Sequence, residues 1–138
     1  MAKLLANLFR ITSIVIFIQL LLGGLLTFDF ITPMFHIVTG FIVFALAILT
    51  MVVALRSKNV QDRPLLMMST GLVVLIFVQV ILGFETLSTG NSLLAWVHLA
   101  VALGIYAMSV AGSVMSSLLG RMTNFGSQGM RAAPTHDN

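Results

Sequence analysis

Four apolar runs, each close to the roughly 20 residues that a helix needs to cross a bilayer, fill most of this chain of 138 residues. They lie at about 11–28, 34–55, 65–84 and 93–119. A soluble domain carries about 25% charged residues. Here 8% are charged and 59% are hydrophobic, too little polar surface to coat a soluble fold. The expectation is an all-α, integral membrane four-helix bundle over residues 1–119. The Gly/Ser/Asn-rich stretch 120–138 is expected to be a mobile cytoplasmic tail.

The breaks between the runs carry helix signals. Thr32 is placed as N-cap with Pro33 in the first turn of the second span. Arg56 to Arg63 is a polar loop, Pro64 opens the third span, and Glu85 to Asn91 is a second polar loop. Asn91 or Ser92 is expected to cap the fourth span. Lys3 and Arg10 precede the first run as they would in a signal peptide. No small-x-small cleavage motif follows, so the run is expected to stay as a helix.

Charge then gives direction. In a four-span arrangement Lys3, Arg10, Arg56, Lys58, Arg63, Arg121 and Arg131 share one side, while the opposite loops hold Asp29 and Glu85 and no base. The positive-inside rule makes both termini cytoplasmic, in what is expected to be a prokaryotic plasma membrane. The bases are scattered at span ends without a stripe or an aromatic platform, so nucleic acid is not an expected partner. The absence of cysteine excludes disulfides, thiolate metal sites, iron–sulfur clusters and covalent c-type haem.

The chain also repeats itself. Residues 16–23 read IFIQLLLG and residues 76–83 read IFVQVILG, and a small shift aligns His36 with His98, Phe44 with Tyr106 and Ala45 with Ala107. Each half is then a hairpin of the form Gln-x-x-Leu-Gly, outer loop, His. Both halves enter from the same side, which makes the bundle two parallel-repeated helical hairpins about an axis along the membrane normal.

Ionisable groups inside a membrane are costly and usually face a bundle interior or cavity. A single intramembrane histidine is often no more than a buried polar residue with a local partner. Two at matching repeat positions and similar depth are brought face to face by a twofold axis. Opposed imidazoles are what a low-spin haem iron takes as axial ligands, whereas a bare copper or iron would need further ligands. His36 and His98 are therefore the candidate metal ligands. Gly40 and Ala102, one turn further along each helix, would leave room for a flat ring, and Gly23, Gly24 and Gly83 would allow close backbone approach. Phe35, Phe41, Phe44, Trp96 and Tyr106 could wall a porphyrin or simply pack. Gln19 and Gln79 are matched too; interhelical hydrogen bonding is the simpler role, contact with a cofactor or a His ring the other. Ser109, Gly112, Ser113, Ser116 and Ser117 form a small-residue stripe suited to tight packing, internal or against another subunit.

The twice-repeated Gln-x-x-Leu-Gly helix and His helix resemble one half of the haem A synthase family, across most of residues 11–119. The stretch LLAWVHLAVALGIYA is similar to a haem-ligand helix of that family's second half. Members hold two four-helix halves, each with a histidine pair toward the outer side, which carries over to His36 and His98. The family's catalytic half has a glutamate about one turn before its first His, where this chain has Thr32 and Pro33, and its cysteine pair is missing. The resemblance therefore implies the non-catalytic, haem b-carrying half used alone.

These observations lead to an expected b-type cytochrome. One bis-histidine haem b near the outer face would carry single electrons, in a subunit of a larger respiratory or photosynthetic complex or in a homodimer. With two strong axial ligands, electron transfer is favoured over oxygen chemistry. The acidic outer surface suits a basic soluble electron carrier. Thr27, Thr32, Ser88, Thr89 and Asn91 are the candidate hydrogen-bond donors for haem propionates. Two alternatives stay open: a half-size haem A synthase-like enzyme acting as a homodimer, and a cofactor-free scaffold or assembly subunit. A quinone beside Gln19 or Gln79 is not distinguished from packing.

Overall fold

Inside a bilayer the backbone must satisfy its own hydrogen bonds, and helices do this within one segment. The computed structural model follows that rule. It describes residues 2–57 and 63–131, with the backbone alone for residues 2 and 123–131. Four helices make up the described chain: α1 (Ala2–Thr27), α2 (Pro33–Leu55), α3 (Arg63–Thr89) and α4 (Ser92–Arg131). Each is long and apolar enough to span a membrane.

The caps explain the turns. Thr32 is the N-cap of α2 with Pro33 at its start, although the threonine side chain makes no capping bond. Asn91 caps α4, its Oδ1 accepting from the Leu93 and Leu94 amides at 2.9 and 3.4 Å. Asp29 ends α1 in the left-handed region at φ 58°, and Gly90 ends α3 at φ 63°. Asp and Gly are among the residues that tolerate this conformation.

Three expected boundaries are corrected. Helix α1 starts well before Ile11, because Leu5, Leu8, Phe9 and Thr12 recur at helical spacing and are buried. Glu85 lies in α3 rather than in a loop; the Ser88 and Thr89 hydroxyls donate back to its carbonyl and hold the last turn. The stretch after Leu119 is not a loose tail as far as Arg131: α4 continues through it. Once nucleated, a helix gains a backbone bond with each added residue, and Ser, Asn and Gly weaken this without stopping it. The rest of the expected tail, 132–138, and the loop residues 58–62 lie outside the described residues.

The helices pack in a ring, α1 to α2 to α3 to α4 and back to α1, so that α1 faces α3 and α2 faces α4 across the two diagonals. The interior mixes large apolar side chains such as Leu5, Phe9, Leu65 and Leu72 with small polar ones, and the outer surface is apolar as well. Thr12, Thr50, Ser69, Ser109 and Ser116 are buried, while Phe28, Met67 and Trp96 point outward. Lipid is as apolar as leucine, so close packing, rather than hydrophobic burial, drives association, and small hydroxyl residues are accommodated between the larger ones. Thr50, Ser69, Ser109 and Ser116 donate their hydroxyls to carbonyls three or four residues earlier, which removes the cost of burying them.

Candidate functional site

The ring of helices brings His36 of α2 and His98 of α4 together across a diagonal, near the α1–α2 and α3–α4 turns. Their ring centroids are 6.2 Å apart, with the planes inclined by 58°. Two imidazoles sharing a hydrogen bond would have centres about 5 Å apart. Two imidazoles on opposite sides of one metal ion, with metal–nitrogen bonds of about 2 Å, would have them about 6 Å apart. Both Nδ1 atoms are buried and lack a hydrogen-bond partner. Buried polar atoms are nearly always satisfied, so an orphaned ring nitrogen on each of two neighbouring histidines leaves both rings with bonding capacity to spare.

Each histidine is seated by the same two neighbours on the preceding helix. Gln19 Nε2 donates to the His36 carbonyl at 2.9 Å and lies 3.2 Å from His36 Nε2. Gln79 Nε2 donates to the His98 carbonyl at 2.7 Å. The glutamines thus act as interhelical bonds, and Gln19 also touches a His ring, so its two suggested roles meet in one side chain. Both Oε1 atoms remain buried without a partner, which adds two acceptors to the unsatisfied set. The second neighbour is glycine. A Cβ on Gly23 would stand 3.2 Å from His36 Cε1, and one on Gly83 would stand 3.1 Å from His98 Cε1.

Other expected residues fall elsewhere. Gly24 has open space beside it. Gly40 faces Gln19, where a Cβ would come within 3.1 Å of its Nε2, so the room it leaves here is taken by the amide. Ala102 is half-buried at the matching place. Phe35, Phe41 and Trp96 turn outward, with Phe35 and Trp96 63% and 70% exposed, and do not wall the space between the histidines. They suit the aromatic belt at a bilayer interface. Phe44 and Tyr106 instead close the bundle below the site, Phe44 against Phe77 at 6.5 Å and Tyr106 against Phe17 at 5.9 Å. The hydroxyls of Thr27, Ser88 and Thr89 donate to their own helices, and Asn91 caps α4, so these donors are already engaged.

A bare metal ion finds two protein ligands here: among the described residues, no group of three or more His, Asp and Glu side chains comes together. A haem brings four nitrogens of its own and asks the protein for two. The donor set and the ring spacing fit that group.

The matched glycines give a direct test. Gly→Ala in a helix gains up to about 1 kcal/mol from backbone entropy where space allows. Gly24→Ala is therefore expected to hold or raise thermal stability in detergent. Gly23→Ala and Gly83→Ala must displace an imidazole by a few tenths of an ångström and should fall below Gly24→Ala by about 1 kcal/mol. Equal melting of the three variants would mean that the histidine rings are not seated against these glycines.

No family model matches the chain, and neither a curated protein nor a solved structure matches it.

Proposed function

We propose that this protein is a membrane b-type cytochrome that holds one haem b between His36 and His98. The observation that carries the proposal is the facing pair of imidazoles at 6.2 Å, each with a buried, unpartnered ring nitrogen. When bound, a haem of this kind alternates between ferric and ferrous iron and moves one electron at a time.

The chain's own residues supply the setting. His36 and His98 would hold the haem iron, and with both as ligands the chemistry it would supply is electron transfer rather than oxygen binding. Gln19 and Gln79 tie the backbone at each histidine to the neighbouring helix, and Gly23 and Gly83 let the rings lie against it.

A parallel repeat of two hairpins is supported by more than sequence. From Ile14 to Phe30 every residue has the same degree of burial as its counterpart from Val74 to Gly90, and the same holds for Val38 to Met51 against Ala100 to Ser113. The charge distribution supports a cytoplasmic side for both termini, and with it an outer-face position for the histidines in a prokaryotic plasma membrane. Exposed Asp29 and Glu85 at that end suit a basic soluble electron carrier. A four-helix bundle of this kind suits a subunit of a larger redox complex or a homodimer.

The test is a reduced-minus-oxidised absorption spectrum of the purified protein, with extraction of its pigment. A b-type band with extractable haem b is expected. Haem O or haem A in the extract would favour the synthase-like alternative. A colourless protein purified from haem-replete cells would sink the proposal and leave the Gln–His bonds as packing alone.

A further inference from the structure

We infer that a groove between α1 and α4, at the end of the bundle opposite the histidines, is a phosphate site suited to an anionic phospholipid headgroup. The groove has a volume of about 310 Å³ and is lined by Arg10, Ser113, Val114, Ser117, Leu118 and Arg121. That volume is at the lower end of the range of about 300–1,000 Å³ for small-ligand sites.

Its chemistry is cationic, with no carboxylate at this end among the described residues. Arg10 Nη2 donates to Ser117 Oγ at 3.4 Å, and Ser117 passes its own hydrogen to the Ser113 carbonyl at 2.8 Å, so the serine oxygen orients the guanidinium while holding no charge. Arg121 stands one helical turn beyond Ser117 on the same face of α4. The carboxylates among the described residues, Asp29 and Glu85, belong to the other end of the bundle. Arginine forks match phosphate oxygens, and basic pockets between membrane helices on the positive side recruit lipid headgroups. Val114 and Leu118, 55% and 52% exposed, flank the arginines on the apolar side and give an acyl chain a path back into the bilayer.

The repeat sharpens this. At the histidine end the two halves share the Gln19/Gln79 and His36/His98 pairs. At this end they part: Arg10 corresponds to Thr70, Ser113 to Met51 and Ser117 to Leu55. The arginine–serine pairing of the α1–α4 interface is thus not repeated on its α2–α3 twin, where Thr70 and Leu55 stand at the matching positions. The groove is also rigidly framed, because the Phe9 ring is fully buried where a Cβ on Gly112 would stand, next to Arg10 and Ser113.

The full-length protein, titrated in detergent micelles with dioleoylphosphatidylglycerol or dioleoylphosphatidylcholine and read by native mass spectrometry, tests the site. Preferential retention of the anionic lipid is expected, about tenfold weaker in Arg10→Gln or Arg121→Gln and unchanged in Lys3→Gln, a base at the same end outside the groove. Inorganic phosphate added in competition separates the two sources. Displacement of the lipid by phosphate at equal concentration would assign the site to free phosphate, and failure to displace it would assign the site to the lipid. Equal retention of the two lipids with no effect of phosphate, or a folded Arg10→Gln/Arg121→Gln double variant that binds like the wild type, would overturn the inference. The histidine site plays no part in this experiment, so the two readings stand or fall separately.

Discussion

His36→Ala and His98→Ala are each expected to abolish the low-spin b-type spectrum while the four helices remain. Loss of an outer partner of a metal ligand typically costs 10–100-fold in affinity. Loss of an axial ligand should exceed this and bring haem content in the purified variant near zero. Gln19→Leu is the graded comparison. It removes the donor to the His36 carbonyl and the contact with the ring without touching either imidazole, so it should lower haem retention within that 10–100-fold range. Added imidazole should restore part of the band in either alanine variant by occupying the space left by the missing ring. That readout belongs to ligation alone, since a histidine serving only as packing would give no spectral response to imidazole. A wild-type band that persists in both variants would place the pigment elsewhere on the protein.

Much of this site stands out in the sequence for a simple physical reason. In an apolar chain each polar residue is conspicuous, and Gln19, Gln79, His36 and His98 are nearly the only polar groups at their depth that carry more than a hydroxyl. Their matched spacing gave the hairpin repeat, but Gly23, Gly24 and Gly83 were expected beside a flat cofactor, whereas Gly23 and Gly83 lie against the histidine rings and Gly24 has open space. The spans were legible because hydropathy over a bilayer-length window needs no knowledge of partners.

Facing was not legible. In a soluble helix an apolar stripe marks the core, but in lipid the outer face is apolar as well, and the pattern loses its contrast. Trp96, Phe35 and Phe41 therefore looked available to a cofactor and instead point outward from the bundle. Gly40 carried no sign that it would face Gln19 rather than the space between the histidines. The helix ends misled for a related reason. Glu85 and the polar residues after Leu119 are what a soluble loop is made of, yet near the bilayer surface a polar segment can stay helical and bond to itself. The pairing of Arg10 with Ser117 has no local signature at all, because it depends on α1 and α4 closing the ring.

Gly112→Ala is expected to be the most damaging single-methyl change in the protein. A Cβ there would stand 2.5 Å from Phe9 Cε1 and 2.6 Å from Cδ1. Carbon atoms in contact prefer about 3.5–4.0 Å, so the shortfall is about 1 Å rather than the few tenths at Gly23. Phe9 is fully buried within the hydrophobic core, so its ring must move against packed neighbours to make room. The helix-propensity gain of about 1 kcal/mol does not offset an overpacking penalty in the upper part of the 1–3 kcal/mol range. Thermal denaturation in detergent should therefore show a net loss of about 1–2 kcal/mol, with α1 and α4 separating first. Phe9→Leu gives the second arm. Alone it leaves a small void and costs stability, but in the Gly112→Ala background it removes the clashing ring edge, so the double variant should be more stable than Gly112→Ala by itself. The matched positions in the other half, Ser69 for Phe9 and Thr50 for Gly112, already show two intermediate side chains in place of one large and one absent. A double variant that is the sum of its parts would mean that the ring and the glycine do not share one space.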